Sequence, residues 1–139
     1  MTCILTDTNV LLDVLLDRKP HAGASAAVRA AVESRRVLGM LPAHAVTTIH
    51  YLIRKEHGSA QARRATGALL RVFGVAAADR EVLREALDLD WSDYEDAVTA
   101  VAARRSGCDV IVTRNPRDFR GSPVRVLTPE AALPLLAGR

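Results

Sequence analysis

Aromatic side chains are nearly missing from this chain: 4% of 139 residues, as two Phe, two Tyr and one Trp. A core must therefore be assembled from Ala, Val and Leu, small side chains that suit close helix packing and parallel strands. Cysteine is equally scarce. Cys3 and Cys108 show no metal-type spacing, which argues against a disulfide scaffold and for reduced core thiols in a cytoplasmic protein. No apolar run approaches the roughly 18–20 residues of a membrane span. The first residues lack the basic leader, apolar stretch and small-residue cleavage site of a secretory signal. Walker-type and dinucleotide-binding glycine loops are absent. With no repeat, low-complexity tract or linker either, the reading is one domain, residues 1–139.

What is present suffices for a core: 49% of residues are hydrophobic and 25% charged. Net charge is +3, and Arg supplies 17 of the 19 basic residues. Arginine pairs bidentately with phosphate better than lysine does, though GC-rich coding would raise Arg and Ala together without any such purpose. Thr2–Thr6 reads as a buried strand, followed by a helix from Val10 to Leu16 and another from about His21 to Arg35. A strand at Val37–Leu41 precedes a helix that Pro42 starts and His57-Gly58 ends. Ser59–Phe73 is helical, Gly74–Ala76 extended, Asp79–Leu89 helical. Ser92 is expected to cap a helix running to Ser106 and stopped by Gly107. Val110–Val112 and Val124–Leu127 are strands, and Pro129–Leu136 closes the chain as a helix. Short apolar strands alternating with helices indicate an α/β fold with a parallel sheet covered on both faces. In such sheets the chemistry lies beyond the carboxyl ends of the strands.

Two strands end in polar clusters at that edge: Thr6-Asp7-Thr8-Asn9, and Thr113-Arg114-Asn115-Pro116-Arg117-Asp118-Phe119. Asp96, one turn into the helix before the second of these strands, is the third acid. Converging carboxylates are costly unless a cation neutralises them, and hard oxygen ligands suit Mg²⁺ or Mn²⁺. A metal so held can activate water and clamp a phosphodiester. Each acid also has a purely structural explanation. Asp7 can assist Thr8 in capping the first helix. Asn115-Pro116-Arg117-Asp118 is a good helix start, with Asn as cap and an acid in the first turn. Glu95, three residues after Ser92, reads as half of a capping box. Asp96 lies beyond that box, and the small Ala100 and Ala103 are expected to leave space round its carboxylate.

On Asp7-Thr8-Asn9, Glu95-Asp96-Ala97, and Thr113-Arg114-Asn115 with Asp118-Phe119, in that order and spacing, the sequence resembles the PIN-domain ribonucleases. This is the fold of the toxin in many bacterial VapBC toxin–antitoxin pairs, and the resemblance covers essentially the whole chain. It implies a three-layer α/β/α sandwich with a central parallel sheet of about five strands, and Mg²⁺- or Mn²⁺-dependent endonucleolytic cleavage of RNA. Asp7, Asp96 and Asp118 match acidic metal-site positions, and Asn115 a polar position beside them, with Asn9 as a further accessory. It also implies a cognate antitoxin and a homodimer. Leu11–Leu16 and Val28–Val32 are candidate contact faces, although an intramolecular core explains them equally well.

One departure stands out. The family usually places a Glu in the helix after the second strand. Here Thr48 aligns with that position, with His44 one turn earlier on a face shared with Thr48 and Tyr51. Losing a carboxylate weakens a metal site without removing it, because Mg²⁺ keeps several waters and takes one or two carboxylates. Arg114, Arg117 and Arg120 flank the proposed site and could meet phosphates. Arg35-Arg36, Arg63-Arg64 and Arg104-Arg105 read as solvated helix faces. The shortage of aromatics gives no support to sequence-specific reading of single strands. A covalent mechanism is disfavoured, since strand-end Asp nucleophiles typically have a second Asp two residues on, where this chain has Asn9. The alternative function is a PIN-like module that binds RNA or protein and cuts weakly or not at all.

Overall fold

The computed structural model describes residues 1–137. Its elements are β1 (Cys3–Thr6), α1 (Thr8–Leu15), α2 (Ala22–Glu33), β2 (Leu38–Pro42), α3 (Ala43–His57) and α4 (Ser59–Val72). They continue with β3 (Gly74–Ala76), α5 (Arg80–Asp88), α6 (Tyr94–Arg105), β4 (Val110–Val112), β5 (Arg125–Leu127) and α7 (Pro129–Leu136). A single 3-10 turn, Pro116–Phe119, follows β4. All five strands are parallel, in the order β3-β2-β1-β4-β5. The order reverses at β1, so the carboxyl ends of β1 and β4 stand side by side at the switch point, where α/β sheets open a crevice.

Alternation along the strands divides the core between the two faces of the sheet. Ile4, Val110 and Val112 join the cluster beneath α1, α2, α3, α4 and α7, whereas Leu5 and Ile111 join the one beneath α5 and α6. Helix α6 is buried from Ala97 through Ala103. Four alanines in that run let it approach the sheet closely. Ala100 and Ala103 are therefore packed inside the core, so the open space beside Asp96 is not of their making, contrary to the expectation from their size. Gly107, at φ +75°, ends the helix in the left-handed conformation that glycine adopts without strain. Gly39 serves close approach instead, since a Cβ there would stand 2.6 Å from a Val32 methyl and 2.8 Å from Phe73.

Burial bears on two expectations, the contact faces and the core thiols. Val10, Leu11 and Leu12, like Val28, Ala31 and Val32, are sequestered in the chain's own core. Leu11, Leu12, Val28, Ala31 and Val32 thus pack within the chain itself, whereas Val14, Leu15 and Leu16 are half-buried and Ala30 is exposed, so each stretch is an intramolecular packing face only in part. The cysteines, far apart in sequence, meet across β1 and β4 as free buried thiols with sulfurs 3.4 Å apart. Among the described residues no helix is long and apolar enough to cross a membrane.

Candidate active site

The strand ends β1 and β4 create the site by handing their chains directly into turns. The Asp7 N–H donates to the Val112 carbonyl at 2.9 Å, continuing the β1–β4 ladder by one rung. Asp7 then leaves the strand in an extended conformation and caps α1, its Oδ1 accepting the Thr8 N–H at 2.9 Å. The cap is Asp7 itself, so α1 begins at Thr8, two residues before the expected start. The capping explanation and the site explanation are both satisfied, because a carboxylate has about four lone-pair sites. Oδ2 accepts the Thr113 hydroxyl at 2.8 Å, and the Asn9 amide lies 3.5 Å away. The Thr113 hydroxyl in turn accepts the Asn115 N–H at 3.2 Å, and the Asn9 side-chain Oδ1 accepts the Arg114 N–H at 3.4 Å. Asn9 and Thr113 thereby stitch the two strand-end turns together.

Beyond these turns lies a cleft of about 290 Å³ lined by Asp7, Asn9, His44, Thr48, Asp93, Asp96, Asn115 and Asp118, with Thr8, Leu12, Glu95 and Phe119. Every residue proposed from the sequence as an acidic or accessory member of the site is on this wall. Asp118 sits in the first turn of the 3-10 segment, its N–H donating to the Asn115 carbonyl at 3.0 Å. The Asn115 side chain makes no cap bond, so the helix-start pattern there forms one short turn and no more. Phe119 is buried and meets Trp91 edge-on at 5.9 Å, anchoring the end of the segment. His44 and Thr48 project from successive turns of α3. Tyr51, expected on the same face, is instead 59% exposed and outside the cleft. Thr47, not Thr48, bonds back to its own helix, donating to the His44 carbonyl at 3.1 Å.

Asp93 is the cleft residue that sequence reasoning missed. Ser92 does not cap α6. The cap is Asp93, whose carboxylate accepts the Asp96 N–H at 3.1 Å, so the Ser92–Glu95 capping box does not form. The available signal was an Asp three residues before Asp96, as good a cap as Ser. The consequence is electrostatic. Burial, then the charges of Asp93, Asp7, Asp118 and Glu95, push the Asp96 carboxyl up to about 7. Asp7 is also raised by burial, opposed by its bonds to Thr113 and the Thr8 N–H and by the neighbouring His44.

Such crowding of hard oxygen donors fits a divalent cation. Among the described residues, however, no group of three or more His, Cys, Asp or Glu side chains is arranged to hold a metal ion. The acids line one cleft without closing on one point, a spacing compatible with an ion that keeps several waters. The arginines flank this wall differently. Arg117 and Arg120 are exposed, whereas the Arg114 guanidinium turns toward α1, its Nε 2.8 Å from the buried Asp13 carboxylate. Arg104 and Arg105 pair with Glu85 on the surface. A larger hollow of about 650 Å³ at the opposite edge of the sheet has Glu33 as its only acid, so it offers no comparable cluster.

A parallel α/β sheet with acids gathered at its switch point defines a fold class whose chemistry is carried by carboxylates at one strand edge. The chain belongs to the PIN domain family, whose model matches residues 3–117. It is 25% identical over 132 residues to Ribonuclease VapC1 of Aquifex aeolicus (strain VF5), covering 91% of this chain and 90% of that one. Its fold is similar to a toxin–antitoxin complex from Klebsiella pneumoniae, at 22% identity and TM-score 0.67, over 91% of this chain and 97% of that one. It is also similar to Mycobacterium tuberculosis VapC20, described as a sarcin-ricin loop cleaving toxin, at 18% identity and TM-score 0.61, over 78% and 86% of the two chains.

Proposed function

We propose that this chain is an endoribonuclease that hydrolyses RNA phosphodiester bonds with the help of Mg²⁺ or Mn²⁺, and that it is the toxin of a toxin–antitoxin pair. The observation that carries the reading is the placement of Asp7, Asp96 and Asp118 on one cleft, where burial and then the neighbouring carboxylates hold Asp96 near 7. Perturbed carboxylates gathered in a cleft are enriched at functional sites. Membership of the PIN family and likeness to a VapC ribonuclease support the same conclusion.

In this reading Asp7, Asp96 and Asp118 hold the ion. When bound, the ion lowers the pKa of a water and stabilises charge on the phosphate. The chain's own groups do the rest. Thr113 and the Thr8 N–H fix the Asp7 carboxylate, so that it enters the site in one orientation. Asp93 holds the first turn of α6, and with it Asp96. Asn9 and Asn115 offer neutral polar contacts beside the acids, and His44 and Thr48 line the same cleft from α3. Arg117 and Arg120, exposed beside the cleft, suit phosphate contacts that position a strand without reading its sequence. A cognate antitoxin and a homodimer belong to the same proposal. Leu11, Leu12, Val28, Ala31 and Val32 are taken up by the chain's own core, so their contact surface draws on other residues.

The test is cleavage of total cellular RNA by the purified chain. Cleavage should require Mg²⁺ or Mn²⁺ and stop with EDTA. Undiminished cleavage in excess chelator would overturn the metal assignment, and RNA binding without cleavage at any metal concentration would favour a non-cutting PIN-like module.

A further inference from the structure

The Asp13 side chain is fully buried on α1, yet the machinery described so far does not use it. Its Oδ2 accepts the Ser25 hydroxyl at 3.3 Å and lies 2.8 Å from Arg114 Nε. Its Oδ1 has no partner, and the Arg114 N–H is not aligned on the carboxylate, so the contact is ionic rather than a directed hydrogen bond. A buried ion pair of this quality is a poor source of stability, since apolar side chains of similar volume commonly do as well or better. Its placement suggests a different use. Arg114 begins the segment that delivers Asn115 and Asp118 to the cleft. Before it, Thr113 is bonded to Asp7 at 2.8 Å; after it, Phe119 is buried against Trp91. Between these anchors the Arg114 N–H meets Asn9 Oδ1 in the first turn of α1 at 3.4 Å, and the Arg114 side chain reaches further, to Asp13 in the body of that helix.

We propose that Asp13 and Arg114 form a positioning strut that clamps the segment 113–119 onto α1 and so sets where Asp118 stands relative to Asp7 and Asp96. Arg114 is then a positioning residue, not a phosphate contact. The catalytic consequence rests on the nuclease reading above, whereas the mechanical one does not.

The experiment replaces the pair by apolar side chains, Asp13→Leu with Arg114→Met, and adds Arg114→Lys as the conservative single change. Three quantities are read: thermal melting, acrylamide quenching of Trp91, the only tryptophan, and cleavage of a quenched mixed-sequence RNA pool with Mn²⁺. The double variant should still fold and melt cooperatively, with Trp91 more accessible to quencher because Phe119 shifts. Its kcat should fall roughly 10- to 100-fold, the scale of a small misplacement of reacting groups, with KM and its salt dependence unchanged. Arg114→Lys should recover part of the loss. Unchanged kcat, with a higher KM and a salt slope reduced by about one, is the signature of a lost phosphate contact and would overturn the strut. Should the double variant fail to fold, Arg114→Lys decides by the same split between kcat and KM. If the unaltered protein cuts none of the pool, the nuclease reading fails, and Trp91 quenching alone judges the strut: unchanged accessibility refutes it.

Discussion

At the N-terminal end of α6, Asp96 is pushed up to about 7 by burial and then by the charges of Asp93, Asp7, Asp118 and Glu95. At the C-terminal end of the same helix, Arg104 and Arg105 both reach Glu85, whose carboxyl is held below its usual value by those two bonds. Both arrangements suit the helix dipole, acids at its start and bases at its end. Among the described residues only the second is neutralised by ion pairs. The exposed cluster round Glu85 is an ordinary surface network of little consequence for stability. The acids round Asp96 repel one another, with His44 the only base among the described residues lining their cleft, and this end is the one that faces the opening at the sheet's switch point.

The largest effect should come from breaking the acidic end. Asp96→Asn should reduce RNA cleavage by about 100-fold or more, at least the loss that outer contacts of a metal site produce. It should also melt no lower than the unaltered protein, because the repulsion is relieved. A steady-state cleavage assay beside a melting curve checks both halves. Next in size is filling the position where the family's Glu is missing. Thr48→Glu should tighten Mn²⁺ by roughly 10- to 100-fold in calorimetry with an unchanged melting temperature. A lower melting temperature with unaltered Mn²⁺ affinity would remove Thr48 from the site.

The contrast between the two ends also has a pH signature. The folded-state value of Asp96 lies near 7, above the ordinary 3.8. The folded chain therefore binds the proton more tightly than the unfolded chain does. The stability this contributes is complete below about pH 4 and is lost as pH rises through about 7. Metal-free protein should melt lower at about pH 8 than at about pH 5, and Asp96→Asn should flatten that slope. Asp93 can be split into its two roles. Asp93→Ala should cost about 1 kcal/mol for the lost cap, measured by denaturant unfolding. Asp93→Asn should keep the cap and move the Asp96 titration toward lower pH, followed by NMR. The smallest effect is expected at the compensated end, where Glu85→Gln should leave cleavage unaltered and shift melting by only about 2 °C or less.

The comparison also separates what was legible in the chain from what was not. Short apolar runs and helical patterning located the elements, with Gly74–Ala76, Val110–Val112 and Pro129–Leu136 read at the bounds later observed. The carboxyl-edge rule for parallel sheets then brought Asp7, Asp96 and Asp118 together before any geometry was known, and the cleft contains all three. Helix starts were harder, because Ser92 and Asp93 are equally good caps by residue type. Only the backbone decides between them: Asp93 adopts φ −102°, ψ 106° and presents its carboxylate to the Asp96 N–H. That shift of one residue turned Asp93 from an unremarked loop residue into the largest charge acting on Asp96.

Composition and periodicity alone determined an α/β chain with a small-residue core and a strand edge rich in acids, because burial preference and strand or helix period are local properties of sequence. Pairings that depend on distance in space were decided only by the tertiary structure. Cys3 meets Cys108, Thr113 holds Asp7, and Arg114 turns from the cleft to a buried Asp13 across about one hundred positions of chain. Nothing local distinguishes an arginine that reaches for phosphate from one tied to a buried carboxylate. The difference lies in which helix packs beside its loop, and that follows from the order in which the parallel strands assemble.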